Sequence, residues 1–302
     1  MIFGLSLIYV NIVRILVLRF ELMLSASIGA DISSKVYSGS LFKSYSYYTK
    51  NSTGQLVSII TNDLGALLLV VNNVLKIITI STNLDKIEKI VNIAHQHPEV
   101  FFSVGVHPNE VLKDKNYSNY EMMVDITKNL KCVGIGECGL DYHFGNENKT
   151  IQKISFATQI NIARDTGLPL IIHSRDADDD MIEILQNEYK KGVFNAVLHC
   201  FSSGEKLARC GIDLGFYISF SGIVTFKSAK KIQDIAYFVP KEKILVETDS
   251  PYLAPVPLRG SVNEPKNCFY TAKFISDLRK TSFDDFIEQL YNNSFKIFNK
   301  IS

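Results

Sequence analysis

From about Val74 to the C-terminus, short apolar β-rich runs alternate with longer amphipathic segments. This alternation is typical of parallel strands joined by helical crossovers. The predicted strands are residues 76–81, 100–106, 131–136, 169–172, 194–199, 217–221 and 244–247. Predicted helices include residues 84–95 and residues 151–166, the second ending before Gly167 as at a helix C-cap. The pattern predicts an α/β fold, a (β/α)8 TIM-type barrel in which seven strands are visible and the first is missing.

Five of the seven predicted strands are followed at once by histidine or carboxylate side chains. These are His107, Glu137, His173, His199, and Glu247 with Asp249. A single histidine after a strand is usually structural, but the carboxyl ends of parallel barrel strands converge on one site. Histidine with carboxylate suits Zn²⁺ or Mn²⁺, whereas carboxylate with water suits Mg²⁺. A bridging carboxylate would allow two cations about 3.5–4 Å apart, as in phosphoryl displacement.

The segments that carry these residues resemble the signature segments of TatD metal-dependent deoxyribonucleases. They read Gly105-Val-His-Pro, Gly136-Glu-Cys-Gly-Leu-Asp-Tyr, Ile172-His-Ser-Arg-Asp-Ala, Leu198-His-Cys-Phe-Ser-Ser-Gly, Glu247-Thr-Asp-Ser-Pro-Tyr-Leu and Pro257-Leu-Arg-Gly-Ser-Val-Asn-Glu-Pro. The resemblance covers about residues 74–302 and implies an amidohydrolase-like barrel. It further implies a hydrolase that cleaves DNA phosphodiesters with metal-activated water and uses two divalent cations, Mg²⁺, Mn²⁺ or Zn²⁺.

The resemblance also assigns roles to residues of this chain. Glu137 would bridge two divalent cations, and His173 and His199 would complete the shell of one of them. Asp249 would ligate the other cation and orient or deprotonate the attacking water, so Glu137 and Asp249 are the expected catalytic residues. Four residues would face the substrate phosphates or surround the metal ligands: His107, Arg175, Arg259 and Asn263. For Arg259, a solvated loop charge is an equally good interpretation.

The chain departs from the family pattern at its start. The family opens with a strand that ends in a metal-binding His-x-His pair, but this chain has no histidine before His95. Its one such pair, His95 with His97, stands at the end of a predicted helix and is expected to be solvated. One cation would keep Glu137 and both histidine ligands, while the other would keep Glu137, Asp249 and water. The missing strand would also leave two open sheet edges unless residues before Val74 cover them.

Residues 1–73 are predicted to be a separate helical extension, with the hydrolase barrel in residues 74–302. Residues 22–74, particularly residues 26–37, 45–48 and 51–52, resemble part of the membrane domain of an ABC exporter. This resemblance implies a fusion with a membrane contact through residues 1–73; the alternative is an extension that packs on the barrel. The apolar run at residues 1–20 is interrupted by Asn11, Arg14 and Arg19 and falls short of a membrane span.

Composition narrows the functional classes. A formal net charge of +1 means that any DNA contact must be local. Five cysteines without CxxC spacing fit a reducing cytosol. We therefore expect a cytoplasmic metal-dependent deoxyribonuclease with DNA as its substrate and no obligate protein partner. The alternative is an inactive fusion remnant that binds metal or membrane without turnover.

Overall fold

A computed structural model describes residues 76–114, 117, 119–145 and 148–301. Seven parallel strands form one sheet in chain order. They are β1 (Ile77–Thr79), β2 (Val100–Val104), β3 (Cys132–Asp141), β4 (Leu170–Arg175), β5 (Ala196–Leu198), β6 (Tyr217–Phe220) and β7 (Ile244–Val246). The helices are α1 (Ile87–Gln96), α2 (Tyr120–Thr127), α3 (Lys149–Thr166), α4 (Asp178–Lys191), α5 (Glu205–Asp213), α6 (Lys230–Phe238), α7 (Cys268–Leu278) and α8 (Phe283–Ile297). The chain has the predicted TIM-barrel-like α/β fold.

All seven predicted strands are confirmed, but two of them run further than the sequence indicated. The prediction ended β3 at residue 136 and β4 at residue 172, because glycine and polar residues break the apolar runs there. In the structure the two strands continue side by side, with Gly139 opposite His173 and Asp141 opposite Arg175. These ladder bonds between strands hold the polar ends in extended structure, so Glu137 and His173 lie within strands.

The close approach of β3 and β4 requires a glycine at position 139. Gly139 has φ +135, and a Cβ built there would overlap the carbonyl oxygen of His173. Only glycine combines this backbone angle with so small a volume. The strand that carries Glu137 can therefore lie directly against the strand that carries His173.

Helix α3 packs one face on the sheet and ends as predicted. Phe156, Ile160 and Ala163 are fully buried at helical spacing. Burial of each large apolar side chain contributes about 1.5–3 kcal/mol. Gly167 ends the helix in the left-handed region with φ +70 and donates its N–H to the carbonyl of Ala163.

The two ends of the sheet are β1 and β7, and no pairing joins them within the described residues. Helix α8 supports β7 through Asn293, whose amide donates to the carbonyls of Lys241 and Ile244 at 2.7 and 2.8 Å. The predicted boundary at residue 73 and the segments resembling an exporter lie outside the described residues. Among the helices that are described, none has both the length and the apolar character needed to cross a bilayer.

Candidate metal centre

The four predicted metal ligands lie close together, with Glu137 and His173 inside β3 and β4, and His199 and Asp249 just after β5 and β7. Glu137 Oε1 lies 2.9 Å from His173 Nδ1 and 3.9 Å from His199 Nε2. The same nitrogen of His199 lies 3.8 Å from Asp249 Oδ1. Tetrahedral Zn²⁺ with bonds of about 2.0–2.1 Å places neighbouring ligand atoms about 3.3 Å apart. The mixture of imidazole and carboxylate donors suits a divalent cation such as Zn²⁺. Among the described residues, the ligand atoms that lie close enough together to share one ion are those of His107, Glu137 and His173.

His107 lies in the same cluster, with ligand-type atoms of His107, Glu137 and His173 all within 4.8 Å of one another. Its Nε2 faces Glu137 Oε1 at 3.7 Å. Its Nδ1, however, accepts the backbone N–H of Asn109 at 3.1 Å. Burial, although opposed by the charge of Glu137, lowers the pKa of His107 to about 4. With Nδ1 accepting this N–H, a neutral ring carries its proton on Nε2, the atom that faces Glu137.

His173 is held on both sides by carboxylates. Besides the contact with Glu137, its Nε2 lies 3.1 Å from Asp141 Oδ2. Burial would lower the pKa of His173, but the bonds to Asp141 and Glu137 outweigh it and raise the pKa to about 8. Burial would raise the pKa of Asp141. Hydrogen bonds from His173, the His143 backbone and Asn109 outweigh burial and bring the pKa of Asp141 well below its usual range. Asp141 is thus a buried, ionised partner of His173.

His199 has an equivalent arrangement. Its Nδ1 lies 2.8 Å from Glu247 Oε2, which also accepts the hydroxyl of Ser219 at 2.6 Å. The other oxygen of Glu247 is buried without a hydrogen-bond partner among the described residues. Burial opposes protonation of His199, but the charges of Glu247 and Glu137 raise its pKa to about 10.

The two expected catalytic carboxylates differ in environment. Burial would raise the pKa of Glu137, but the hydrogen bond of His173 and the charges of His199 and His107 lower it to about 2. Burial raises the pKa of Asp249, opposed by His199 and supported by Glu247 and Glu137. The Asp249 side chain is 32% exposed, against 12% for Glu137. Glu137 is therefore an inner anion, and Asp249 is the carboxylate that faces the opening of the site.

Both predicted arginines lie exposed near this end of the sheet. Arg175 is the last residue of β4, and its guanidinium stands 5.7 Å from the ring centroid of Phe144. Arg259 follows β7 and lies over the Phe226 ring at 4.4 Å. Within the described part of the chain neither arginine pairs with a carboxylate, so both charges are available there to an anion approaching the site.

Asn263 lies buried in the loop that follows β7 and carries Asp249. The side chain is 3% exposed, and its amide donates to the carbonyls of Thr248 and Tyr252 at 2.8 and 2.7 Å. Its oxygen accepts the backbone N–H of Glu264 and the amide of Asn267. All of its hydrogen-bonding groups are occupied, so Asn263 holds the loop that carries Asp249.

The solvated position predicted for His95 and His97 is confirmed. Both are exposed at the end of α1, and His95 Nε2 lies 3.0 Å from Asn129 Nδ2. The sequence reasoning gave no role to Asp141, Glu247 or Asn109. Asp141 and Glu247 lie in the same strand-end motifs as the predicted ligands Glu137 and Asp249, and this position in the sequence could have indicated that they belong to the centre.

A TIM-barrel-like fold that gathers histidines and carboxylates at the carboxyl ends of its strands defines a metal-dependent hydrolase. The family model for TatD related DNase matches residues 69–299, and the chain belongs to that family. It is 41% identical over 230 residues to an uncharacterized metal-dependent hydrolase of Buchnera aphidicola subsp. Baizongia pistaciae, covering 74% of this chain and 83% of the relative.

Two proteins of Escherichia coli K12 are also similar to this chain. The uncharacterized metal-dependent hydrolase YcfH is 39% identical, covering 68% of this chain and 77% of the relative. The crystal structure of YJJV, a TatD homolog, superposes with a TM-score of 0.69 at 26% identity, covering 75% of this chain and 87% of that one. The likeness therefore spans most of both partners in each comparison.

Proposed function

We propose that this chain hydrolyses phosphodiester bonds of DNA with a metal-activated water. The observation that carries the proposal is the convergence of Glu137, His173, His199 and Asp249 at one end of the sheet. The name of the matching family model, TatD related DNase, supports DNA as the substrate. The relatives compared above are named only as metal-dependent hydrolases.

Each residue of the centre has a part in this proposal. Cations held by Glu137, His173, His199 and Asp249 would lower the pKa of the attacking water and neutralise phosphate charge. Asp249 is the more exposed of the two carboxylates, so it would accept the proton of that water. His107 directs its Nε2 proton into the centre, where it donates to a phosphate oxygen or to Glu137.

The exposed arginines favour a polyanion over a neutral ester or amide. Arg175 and Arg259 are exposed on the loops and strand ends around the centre. A guanidinium pairs with phosphate through two parallel hydrogen bonds, so these residues suit phosphates on either side of the cleaved bond. The overall charge of +1 contributes little, so the electrostatic attraction for DNA would come from local cationic groups such as these arginines.

The test is cleavage of a single-stranded DNA oligonucleotide by the full chain, with Mg²⁺, Mn²⁺ and Zn²⁺ supplied in turn. We expect metal-dependent cleavage that falls at least about 100-fold in Glu137→Gln, because this change removes the central ligand charge. Glu99→Gln is the matched control, since Glu99 is an exposed glutamate paired with His97 away from the centre. Equal cleavage by Glu137→Gln, or no cleavage with any of the three metals, would show that the proposal is wrong.

A second candidate function is metal binding without turnover, as in an inactive fusion remnant. This candidate is favoured because the described part of the chain, which begins with β1, has no His-x-His pair at a strand end. Zn²⁺ binding to the full chain without DNA cleavage would support this candidate. The predicted membrane contact through residues 1–73 stays a prediction.

A further inference from the structure

We propose that a basic groove beside the metal centre binds phosphates of the DNA strand that lie at a distance from the cleaved bond. The walls of this groove are the start of α4, the loop after β5 and the start of α6. The inference rests on the proposed function, and it adds that the substrate is a polynucleotide chain rather than a single phosphodiester.

The basic groove adjoins the centre through the ends of two strands. Arg175 lines the groove and follows His173 by two residues on β4. Ser202 also lines the groove and follows His199 by three residues after β5. The volume of the groove is about 730 Å³, within the range of about 300–1,000 Å³ that is usual for ligand sites. A strand with one phosphate at the centre therefore has room to continue along this surface.

Three basic side chains of the groove have no acidic partner. Arg175, Lys230 and Lys231 all line the groove and are exposed. Among the described residues none of the three pairs with a carboxylate, and Asp234, one turn further along α6, forms no ion pair with either lysine. Unpaired cations that share a concave surface raise the local concentration of anions there.

The two carboxylates of the groove are held by other groups of the protein. Asp176 Oδ2 lies 2.8 Å from His143 Nδ1. Asp178 Oδ2 accepts the backbone N–H of Gly204 at 2.8 Å, which joins the start of α4 to the loop before α5. Three positive charges against these two negative ones leave the groove with a net positive charge, which suits a phosphate ligand.

The segment that carries the two lysines is fixed in place before any ligand arrives. The buried side chain of Gln233 donates to the carbonyls of Val224 and Phe226 at 3.0 and 3.1 Å. These bonds tie the first turn of α6 to the loop after β6. The same loop carries Lys227, which is exposed and has no carboxylate partner in the described part of the chain. Because the backbone is already ordered, binding here orders only the lysine side chains.

The stability of α6 does not explain its two lysines. They are the first two residues of the helix, and its first turn contains no acidic residue. The positive end of a helix dipole favours acidic side chains and disfavours lysine in this turn. Side chains that lower stability at their position are often needed for function. Removal of both lysines should therefore leave the fold at least as stable while it weakens DNA binding.

The first experiment measures binding of a fluorescein-labelled oligothymidylate to the full chain by fluorescence anisotropy, with EDTA present so that no metal-dependent cleavage occurs. We expect the double variant Lys230→Gln/Lys231→Gln to bind a strand of about 12 nucleotides roughly 10–30-fold more weakly at about 0.1 M salt. The slope of log K against log salt should become less steep by about 1.4, since each phosphate contact of a single strand contributes about 0.7.

The matched control is Lys89→Gln/Lys190→Gln, which removes the same charge from two exposed lysines on α1 and α4. Neither lysine lines the groove, and neither pairs with a carboxylate among the described residues. The control should keep the salt slope of the parent chain. Equal affinity and equal slope for the two double variants, or no DNA binding by the parent chain, would overturn the proposal.

The second experiment needs no variant. The full chain is acetylated at its lysines with and without the oligothymidylate, and mass spectrometry locates the modified residues. We expect Lys230 and Lys231 to lose most of their reactivity when the strand is bound, and Lys89 and Lys190 to keep theirs. A thymidine dinucleotide at the same concentration should protect neither groove lysine, because it is too short to reach beyond the centre. Unchanged reactivity of Lys230 and Lys231 with the longer strand would overturn the proposal.

Thermal melts separate a binding role from a structural one. The Tm of Lys230→Gln/Lys231→Gln should equal or exceed that of the parent chain, and a lower Tm with an unchanged salt slope would assign the lysines to the fold instead. Both binding measurements are made without turnover, so they are independent of the cleavage assay. Lysine-dependent DNA binding without cleavage would support the groove and refute hydrolysis, whereas cleavage with unchanged binding would do the reverse.

Discussion

Replacing Gln159 by methionine is expected to unfold the protein at a lower urea concentration, because the amide satisfies two buried backbone groups. Gln159 is fully buried on α3. Its Oε1 accepts the N–H of Val106 at 3.0 Å, and its Nε2 donates to the carbonyl of Val106 at 3.1 Å. Methionine keeps most of the side-chain volume but makes neither bond. Val106 directly precedes His107, so the same change loosens the segment that carries this donor.

The size of the effect follows from the two groups left without partners. Each buried polar group that loses its hydrogen bond costs about 1–3 kcal/mol. Two such groups, with some relaxation of the Val106 segment, give a loss of about 3 kcal/mol in the free energy of unfolding. With a urea dependence of about 3 kcal/mol per M for a domain of this size, the unfolding midpoint should fall by about 1 M.

Circular dichroism is the suitable signal for the urea titration, since the chain has no tryptophan. Gln96→Met is the control, because Gln96 is an exposed glutamine at the end of α1. That exposed change should stay within about 0.5 kcal/mol of the parent protein. A midpoint for Gln159→Met equal to that of Gln96→Met would show that the Val106 backbone is not held by this amide.

Three further changes test the fold and the centre. Gly139→Ala should lower the free energy of unfolding by about 3 kcal/mol or more, because the new Cβ overlaps the His173 carbonyl. Gly145→Ala, with φ +118 and open space around it, should lower it by about 1–2 kcal/mol. Thermal melts of the two variants compare these losses. Asn293→Leu removes both amide bonds to the segment at the start of β7 and should cost about 2–4 kcal/mol, measured by urea unfolding of this variant. Zn²⁺ at a hundred times its dissociation constant should stabilise the chain by about 2.7 kcal/mol. That gain corresponds to a rise in Tm of about 5–10 °C, and a rise of the same size in Glu137→Gln would contradict the placement of Glu137 at the centre.

The sequence predicted the strands because each lies in a run of apolar residues, and it predicted the site because parallel strands end at one rim. It could not predict that β3 continues past Gly136, since that continuation depends on pairing with β4 rather than on local propensity. It placed His107 at the centre but could not predict the orientation of its ring, which depends on which ring nitrogen accepts the Asn109 N–H. The orientation of a histidine ring depends on contacts between residues that are distant in the sequence. For the same reason the sequence could not predict that Asp141 contacts His173 and that Glu247 contacts His199.

Within the described residues, two supports of the centre run from helix α3 to the ends of the neighbouring strands β2 and β3. Gln152 makes the same paired bonds to the backbone of Asp141, both at 2.9 Å, as Gln159 makes to Val106. Seven residues apart on α3, the two glutamines face the same side and fix the ends of β2 and β3 together. The half of the centre around Glu137 and His173 therefore has support that is independent of any contact between β1 and β7. Asp249 follows the end strand β7, so substitutions that loosen α8 from β7 should disturb the Asp249 side of the centre first.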